Sequence, residues 1–500
     1  MRFRPVSTCL SFLLIFLGVC PASRASAIGC TEILAWLGSG VPSHRISEVL
    51  KINGVRFSDS PENAMALRRS GASAELLATV RHTVPDSGSG VAPCSTKMLS
   101  VNELLGNKDF DLADTKLHDL ISVEPDNAAL HFAMGYLRMQ QGDVDGAFDE
   151  YSNARDLLPG FPETHSRLAY VFYRYDDGDS AIAEARTALS LNPGNAEAYR
   201  YLGLAHSLNE AYDAALHAYQ QSLATEPNSP ETYYDMGITL RQKGNTAGAI
   251  LAYREALKRD PTSWESHNNL GMIYHDSREY VTAISEYQAA KRIAPAEPTV
   301  RYNLGNTYWD QGNVDATIRE LRELYRIHPD SKLGHNVLAM ALMSKRDYDG
   351  AIPELKLAIV ANPTNASAHR VLGQAFLLLN SDTEALRELR IAVALGPDSA
   401  LSHHYLGTAL FKAQSFDEAA VEFREAVRLE PTANNHYYLA GCLMSMGHNS
   451  EALKELDQAA QMDPGQTMYR ERKEELIRLI RASDTSKLAL PSHFELPPAK

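Results

Sequence analysis

The sequence predicts an all-α protein: an α-solenoid of about eleven helix-pair repeats behind a small helical module. Three observations predict it. Prolines stand at 125, 159, 193, 227, 261, 295, 329, 363, 397 and 431, each 34 residues after the last, and Pro464 follows after 33. Ten residues past a proline a small residue recurs, as at Gly135, Ala169, Gly203, Gly237, Gly271, Gly305, Ala339, Gly373 and Gly407. Twelve residues further on stand Ala147, Ala181, Ala215, Ala249, Ala283, Thr317, Ala351, Ala385 and Ala419. A fixed period of this length is the mark of a repeat array, in which each unit buries its apolar face on its neighbours.

Each unit has room for two amphipathic helices of about a dozen residues and two short turns. The small residues let the paired backbones approach. Leu202, Leu270, Leu304 and Leu372 on the first helix and Tyr219, Tyr253, Tyr287 and Phe423 on the second supply the bulk. The proline closes the second helix, because it lacks an N–H and clashes with the preceding turn. Gly142-Asp143, Gly178-Asp179, Gly244-Asn245 and Gly312-Asn313 are expected as the turns between helices.

The Leu-Gly pair, the mid-repeat Ala, the aromatic four residues later, a further Ala (Ala256, Ala290, Ala426) and the closing Pro resemble the tetratricopeptide repeat family. With position 1 at residue 128, repeats begin at 128, 162, 196, 230, 264, 298, 332, 366, 400 and 433, after a degenerate first repeat at 94–127. The resemblance implies a right-handed superhelix whose first helices line a concave groove. It implies no activity, because a fold does not fix one.

Read from the start, Arg2 and Arg4 precede an apolar run from Cys9 to Cys20, then Ala25-Ser26-Ala27. A basic start, a run too short to span a bilayer and a small-x-small end read as a signal peptide over 1–27. Cleavage then leaves Ile28 first and the protein outside the cytoplasm, periplasmic or secreted. Cys20 and Cys30 sit in poor lipobox contexts and mark a lipid-anchored alternative. Residues 28–82 form the small helical module: Leu34, Trp36 and Leu37 in a first helix, Arg45–Ile52 in a second, Ser60-Pro61 and Ser73 starting two more. Gly54-Val55, Phe57, Leu67-Arg68, Gly71-Ala72-Ser73 and Leu76-Leu77 resemble a small module found ahead of repeat arrays in exported bacterial proteins. Residues 83–93 read as a flexible linker. The array runs over 94–466, a polar-backed capping helix with Met468, Leu476, Ile477 and Ile480 on one face over 467–483, and a Pro-rich disordered tail over 484–500.

The chain has 500 residues and a net charge of -14. That sign disfavours nucleic acid, whose phosphates need Lys and Arg, and an anionic membrane surface. Membrane association is expected only through a lipid. No phosphate loop, dinucleotide fingerprint, nucleophile elbow or metal-ligand spacing is present, and the residues outside the repeats are too few for most catalytic domains. The reading is of a non-enzyme without cofactor or metal. Cys30 and Cys94 bracket the module and are the expected disulfide in an oxidising compartment. Cys442, inside a helix of the last repeat, reads as a small buried hydrophobe.

Three rows carry the candidate chemistry. His131, His165, His267, His335, His369, His403 and His436 share position 4. Side chains that repeat once per unit do not converge on one ion, so packing is the better reading. Glu163, Glu197, Glu231 and Glu265 share position 2, where they offset the helix dipole or rim the groove. The third row, on groove positions implied by the resemblance, is Asn268, Asn269, Tyr302, Asn303, Asn306, Trp309 and Asn336. Amides that donate and accept can read a peptide backbone, and Tyr and Trp are strong anchors. The row is similar to the asparagine-lined repeats of O-GlcNAc transferases, although no catalytic domain of that kind is present. Arg200, Arg241 and Arg370 look isolated and do not compose the Lys/Asn carboxylate clamp of chaperone-binding relatives. The expected function is an exported scaffold that binds an extended peptide or partner protein in its groove. The alternatives are a structural or lipid-anchored subunit of an envelope assembly and an accessory subunit of a glycosyltransferase. Thr317, Leu324, Ala339 and Pro353 depart from the pattern in repeats 7 and 8, and Pro353 is expected to kink its helix.

Overall fold

The computed structural model describes residues 27–83 and 94–483. The expected signal peptide apart from Ala27, most of the expected linker and the expected tail lie outside these residues. Among the described residues there are 27 helices and no strand. The chain divides into two compact units, the first ending at Arg259 and the second beginning at Asp260.

In the first unit the module is α1 (Cys30–Gly38), α2 (Ser43–Asn53), α3 (Pro61–Arg69) and α4 (Ala74–His82). Five helix pairs follow: α5 (Thr96–Gly106) with α6 (Phe110–Val123), α7 (Ala128–Gln141) with α8 (Val144–Leu157), and α9 (Pro162–Arg174) with α10 (Gly178–Leu191). The last two are α11 (Ala196–Leu208) with α12 (Tyr212–Thr225) and α13 (Pro230–Gln242) with α14 (Thr246–Arg259). In the second unit the pairs are α15 (Trp264–Asp276) with α16 (Tyr280–Ile293), α17 (Pro298–Asp310) with α18 (Val314–Ile327), and α19 (His335–Ser344) with α20 (Tyr348–Ala361). Then come α21 (Ala366–Leu378) with α22 (Asp382–Leu395), α23 (Ala400–Lys412) with α24 (Phe416–Leu429), and α25 (Ala433–Ser445) with α26 (Asn449–Met462). The last helix, α27 (Thr467–Ser483), packs on α26 and buries Leu476. Consecutive helices pair throughout each unit, as the proline period requires.

Local chemistry explains the regularity. Every second helix ends two residues before its proline. Seven of the first helices open on Asn127, Asn195, Ser229, Ser263, Asn365, Ser399 and Thr432, whose side chains accept from the first-turn amides. The turn between paired helices needs one left-handed residue. Gly142, Gly244, Gly312 and Gly447 supply it in four repeats, and Lys108, Asp176, Glu210, Arg278, Arg346, Asn380 and Gln414 in the others. Gly178 is therefore not the turn residue expected above: Asp176 takes the left-handed place and Gly178 is the first residue of α10. The helical glycines answer to the bulky residue opposite. A Cβ on Gly203, Gly237 or Gly271 would lie 2.4, 2.6 or 2.7 Å from the ring of Tyr219, Tyr253 or Tyr287. Where Ala169 replaces glycine, the residue in the aromatic's place is Ala185, and the pair stays closely packed.

Pro353 does not break its helix, since α20 runs through it to the same length as its neighbours. Proline so near the start removes few bonds. A further irregularity lies one helix earlier. There α19 starts only at His335, after the left-handed Gly334, and lacks a first turn.

The module is not a separate body. One apolar core runs from Ile28 through α1, α2, α5, α7 and α8 to Val171 of α9. Trp36 stacks on Phe161 at 4.8 Å, and Phe161 meets Phe132 edge-on at 5.7 Å. The Asn102 amide donates to the Leu34 carbonyl (2.9 Å) and to Ser70 Oγ (3.0 Å), which ties α5 to α1 and to the end of α3. Cys30 and Cys94 form a disulfide with their Cα atoms 4.9 Å apart. Closing a loop of this length removes chain entropy from the unfolded state. Reduction is expected to lower stability by about 2–4 kcal/mol in that picture, read as a shift in urea midpoint with and without reductant. An unchanged midpoint would count against the bond. Cys442 is buried and unpaired, and burial pushes its thiol up to about 12.

Candidate partner-binding face

In the second unit the first helices of successive repeats touch one another, α15 against α17 and α17 against α19. Positions 5, 6, 9 and 12 of these helices share one face, because spacings of three and four bring residues together on a helix. Asn268 and Asn269 come from α15, Tyr302, Asn303, Asn306 and Trp309 from α17, and Asn336 from α19.

These seven residues do not behave alike. Asn268 is only 7% exposed. Its Oδ1 accepts from Asn303 Nδ2 at 3.0 Å and its Nδ2 points at Met272 Sδ at 3.6 Å. That amide is spent on joining two repeats, which corrects its reading as a free peptide reader. Asn269 also has a partner. Asn336 Nδ2 points at Met340 Sδ at 3.7 Å, while its Oδ1 is buried without a donor. Tyr302 packs with the apolar cluster of α18 to α21 and lies against the loop at Gly334. Asn306 and Trp309 are partly exposed, and neither side chain makes a hydrogen bond or ring contact among the described residues. Two repeats on, the half-buried Arg370 donates to Ser367 Oγ at 3.5 Å and has no carboxylate partner among the described residues. Burial pushes its guanidinium below the ordinary value. The uncommitted part of the face is thus Asn306 and Trp309, flanked by Tyr302 and the half-filled Asn336.

The histidine row is structural. Each Nδ1 meets a glutamate of the paired helix nineteen residues on: Glu150, Glu184, Glu286, Glu354, Glu388, Glu422 and Glu455, at 2.6 to 2.7 Å. Arg301 takes the same place in repeat 7 and reaches Glu320 at 3.3 Å and the Pro295 carbonyl at 3.0 Å. Where position 4 is Tyr199 or Tyr233, the glutamate is replaced by Ala218 or Ala252. Among the described residues no group of three metal-ligating side chains is assembled.

In His131 and His165 the other ring nitrogen faces the carbonyl of Pro125 or Pro159, at 2.9 and 3.0 Å. Two acceptors at once suit the imidazolium. The hydrogen bond to Glu150 raises His131 above its ordinary value, and for His165 the bonds to Glu184 and Pro159 outweigh the opposite effect of burial. A raised histidine stabilises fully below its unfolded value of about 6.5 and loses that contribution as pH rises through the folded one. The gap in stability between wild type and His131→Gln is therefore expected to be wider near about pH 6 than near about pH 9. Urea melts of both proteins at the two pH values check it, and equal gaps contradict it.

The glutamate row splits. Glu231 and Glu265 accept from Ser229 and Ser263 at their helix starts, at 3.1 and 3.4 Å. Glu163 and Glu197 instead hold arginines: Arg45 Nε lies 2.9 Å from Glu163 Oε1 and Arg167 Nη1 3.1 Å from Glu197 Oε1. Arg200 is not isolated either, since its Nε donates to Asp235 Oδ2 at 2.6 Å. Here the face that is open around Trp309 is occupied by the chain itself: Ala129, Phe132 and Ala133 of α7 are buried in the core shared with α1. Apolar residues fill both positions 5 and 6 of repeat 2, where every later repeat carries at least one polar or tyrosine side chain.

Paired antiparallel helices at a fixed period, with their first helices side by side, define a helical-repeat scaffold. The tetratricopeptide repeat family model matches residues 99–160, 167–230, 234–298, 302–366, 336–400 and 405–467, and the chain belongs to that family. Its members are typically non-catalytic scaffolds that mediate protein interactions. Among solved structures, it is similar to the Cut9–Hcn1 hetero-tetramer of the APC/C, at 14% identity and TM-score 0.40, covering 77% of this chain and 97% of that one. It is also similar to yeast Tom70, at 15% identity and TM-score 0.33, covering 77% and 94%. A tetratricopeptide repeat protein from Parabacteroides merdae matches at 16% identity and TM-score 0.37, covering 50% and 98%. These likenesses concern the fold alone. No curated protein matches the sequence.

Proposed function

We propose that the protein is an exported, non-enzymatic scaffold that binds an extended peptide, or an extended segment of a partner protein, along the first helices of repeats 6 to 8. The observation that carries this reading is the pair Asn306 and Trp309, an amide and a large aromatic that are partly exposed and uncommitted on a face otherwise closed by its own contacts. A random peptide library displayed on phage, panned on the purified protein, tests it. Peptides enriched on wild type and lost on Trp309→Ala support the reading. No enrichment, or enrichment that Trp309→Ala leaves intact, removes it.

Two features support export. Ile28 already belongs to the folded body: its amide donates to the Gly54 carbonyl at 3.0 Å and its carbonyl accepts from Arg56 at 2.9 Å. The Cys30–Cys94 disulfide suits an oxidising compartment. The intact mass of the protein recovered from its native cells is expected to correspond to a chain starting at Ile28. A full-length mass, or an acylated chain starting at Cys20 or Cys30, overturns that and favours an anchored envelope subunit.

A further inference from the structure

We infer that the first unit holds a second binding site, unrelated to the peptide face: a cavity between the module and repeats 3 to 5 that takes a free α-amino acid. The cavity has a volume of about 320 Å³, at the small end of ligand pockets. Arg45 of α2 reaches it from the module side. Glu163, Arg167, Glu197, Arg200 and Tyr201 line it from the first helices of the repeats.

Its charges are balanced in pairs. Arg45 holds Glu163, Arg167 holds Glu197, and Arg200 holds Asp235, which lies just behind the wall. Tyr201 donates to Glu197 Oε1 at 2.9 Å and takes part in the middle pair. Ion pairs with a buried carboxylate, as at Glu163 and Asp235, are a poor way to dock two surfaces, since apolar residues of the same size usually do it as well or better. A concentration of them around a cavity calls for another account.

Two atoms supply one. Glu163 is only 4% exposed, and its Oε2 has no donor. Arg167 Nε, one helical turn along α9, has no acceptor. Burial raises the Glu163 carboxyl even with Arg45 beside it, so that carboxylate is under-compensated. Both atoms lie beneath the cavity surface; turned into it, an unmet acceptor and an unmet donor on one helix face are the complement of an ammonium and a carboxylate held a few atoms apart. That is the backbone of a free amino acid. Arg45 is also paired with Glu48, so it retains a partner when an ammonium takes its share of Glu163. At the mouth, Glu226 and Glu231 are exposed and form no ion pair among the described residues, which favours a basic side chain.

The test is calorimetric titration of the full mature protein with L-lysine, with cadaverine, which has ammonium groups but no carboxylate, and with hexanoate, which has the reverse. L-Lysine is expected to bind saturably, and the two half-ligands at least about tenfold more weakly, since each leaves a charged group unmet. Glu163→Gln is expected to weaken L-lysine by about tenfold or more, through loss of a charged acceptor. That variant also loosens Arg45, so Gly194→Leu is the second arm. Gly194 lines the cavity, and a Cβ there meets only Asn192 Oδ1 at an ordinary 3.5 Å, so a side chain can be attached at this point of the wall without displacing a neighbour. It too should weaken L-lysine binding, with wild-type melting. No saturable binding overturns the inference, as does cadaverine matching L-lysine, or L-lysine binding that Gly194→Leu leaves unchanged.

Discussion

Trp36→Ala is expected to destabilise the first unit by about 3–5 kcal/mol, as truncation of a fully buried aromatic does. Trp36 is 1% exposed and stacked on Phe161, which in turn meets Phe132. The cavity left by truncation would open between the module and two repeats, and rigid helices on three sides restrict its collapse. The Cys30–Cys94 bond keeps the module tethered, so the loss reports packing rather than departure. Urea unfolding followed by circular dichroism checks it. A single transition of the first unit should move to lower denaturant. If instead a small early transition split off and the main one stayed in place, the module would be an independent appendage and the shared core would lose its meaning.

The repeats were legible because each solves the same steric problem with the same few residues. A glycine faces Tyr219, Tyr253 or Tyr287, and a proline stands two residues beyond every second helix, so the pattern survives in one dimension. The left-handed turn was legible only in part. Glycine announces it at 142, 244 and 312, but Asp176, Glu210 and Arg278 adopt the same conformation without a distinctive signature. What joins different repeats was hidden. Asn268 and Asn303 looked like two ligand readers and are one hydrogen-bonded pair, because 35 residues of sequence separate atoms that adjacent first helices bring to 3.0 Å. Arg200 looked isolated for the same reason, with Asp235 also 35 residues away. The seat of the module was hidden more deeply. Phe132 and Ala133 are as apolar as any core residue, and only comparison with the polar residues at the same positions of later repeats shows that they need a cover.

Trp309→Ala is expected to weaken binding of a panned peptide by about 2 kcal/mol or more, as the loss of a central aromatic anchor does, while the melting temperature barely moves. The two outcomes separate because the two tryptophans sit differently. Trp36 is enclosed by the core, whereas Trp309 is partly exposed and touches no other ring, so its removal leaves no closed cavity. Its neighbours on α17 sharpen the test. Asn303 is held by Asn268, so Asn303→Ala should cost stability by freeing a buried amide. Asn306 has no partner, so Asn306→Ala should reduce peptide affinity alone. Binding is read by fluorescence anisotropy with a labelled peptide taken from the panning, and stability by urea unfolding of the same samples. If Trp309→Ala lowers stability as much as Trp36→Ala does, Trp309 is a packing residue and the face has no anchor. If it leaves both quantities unchanged, the peptide does not use this face, and Asn306 falls with it.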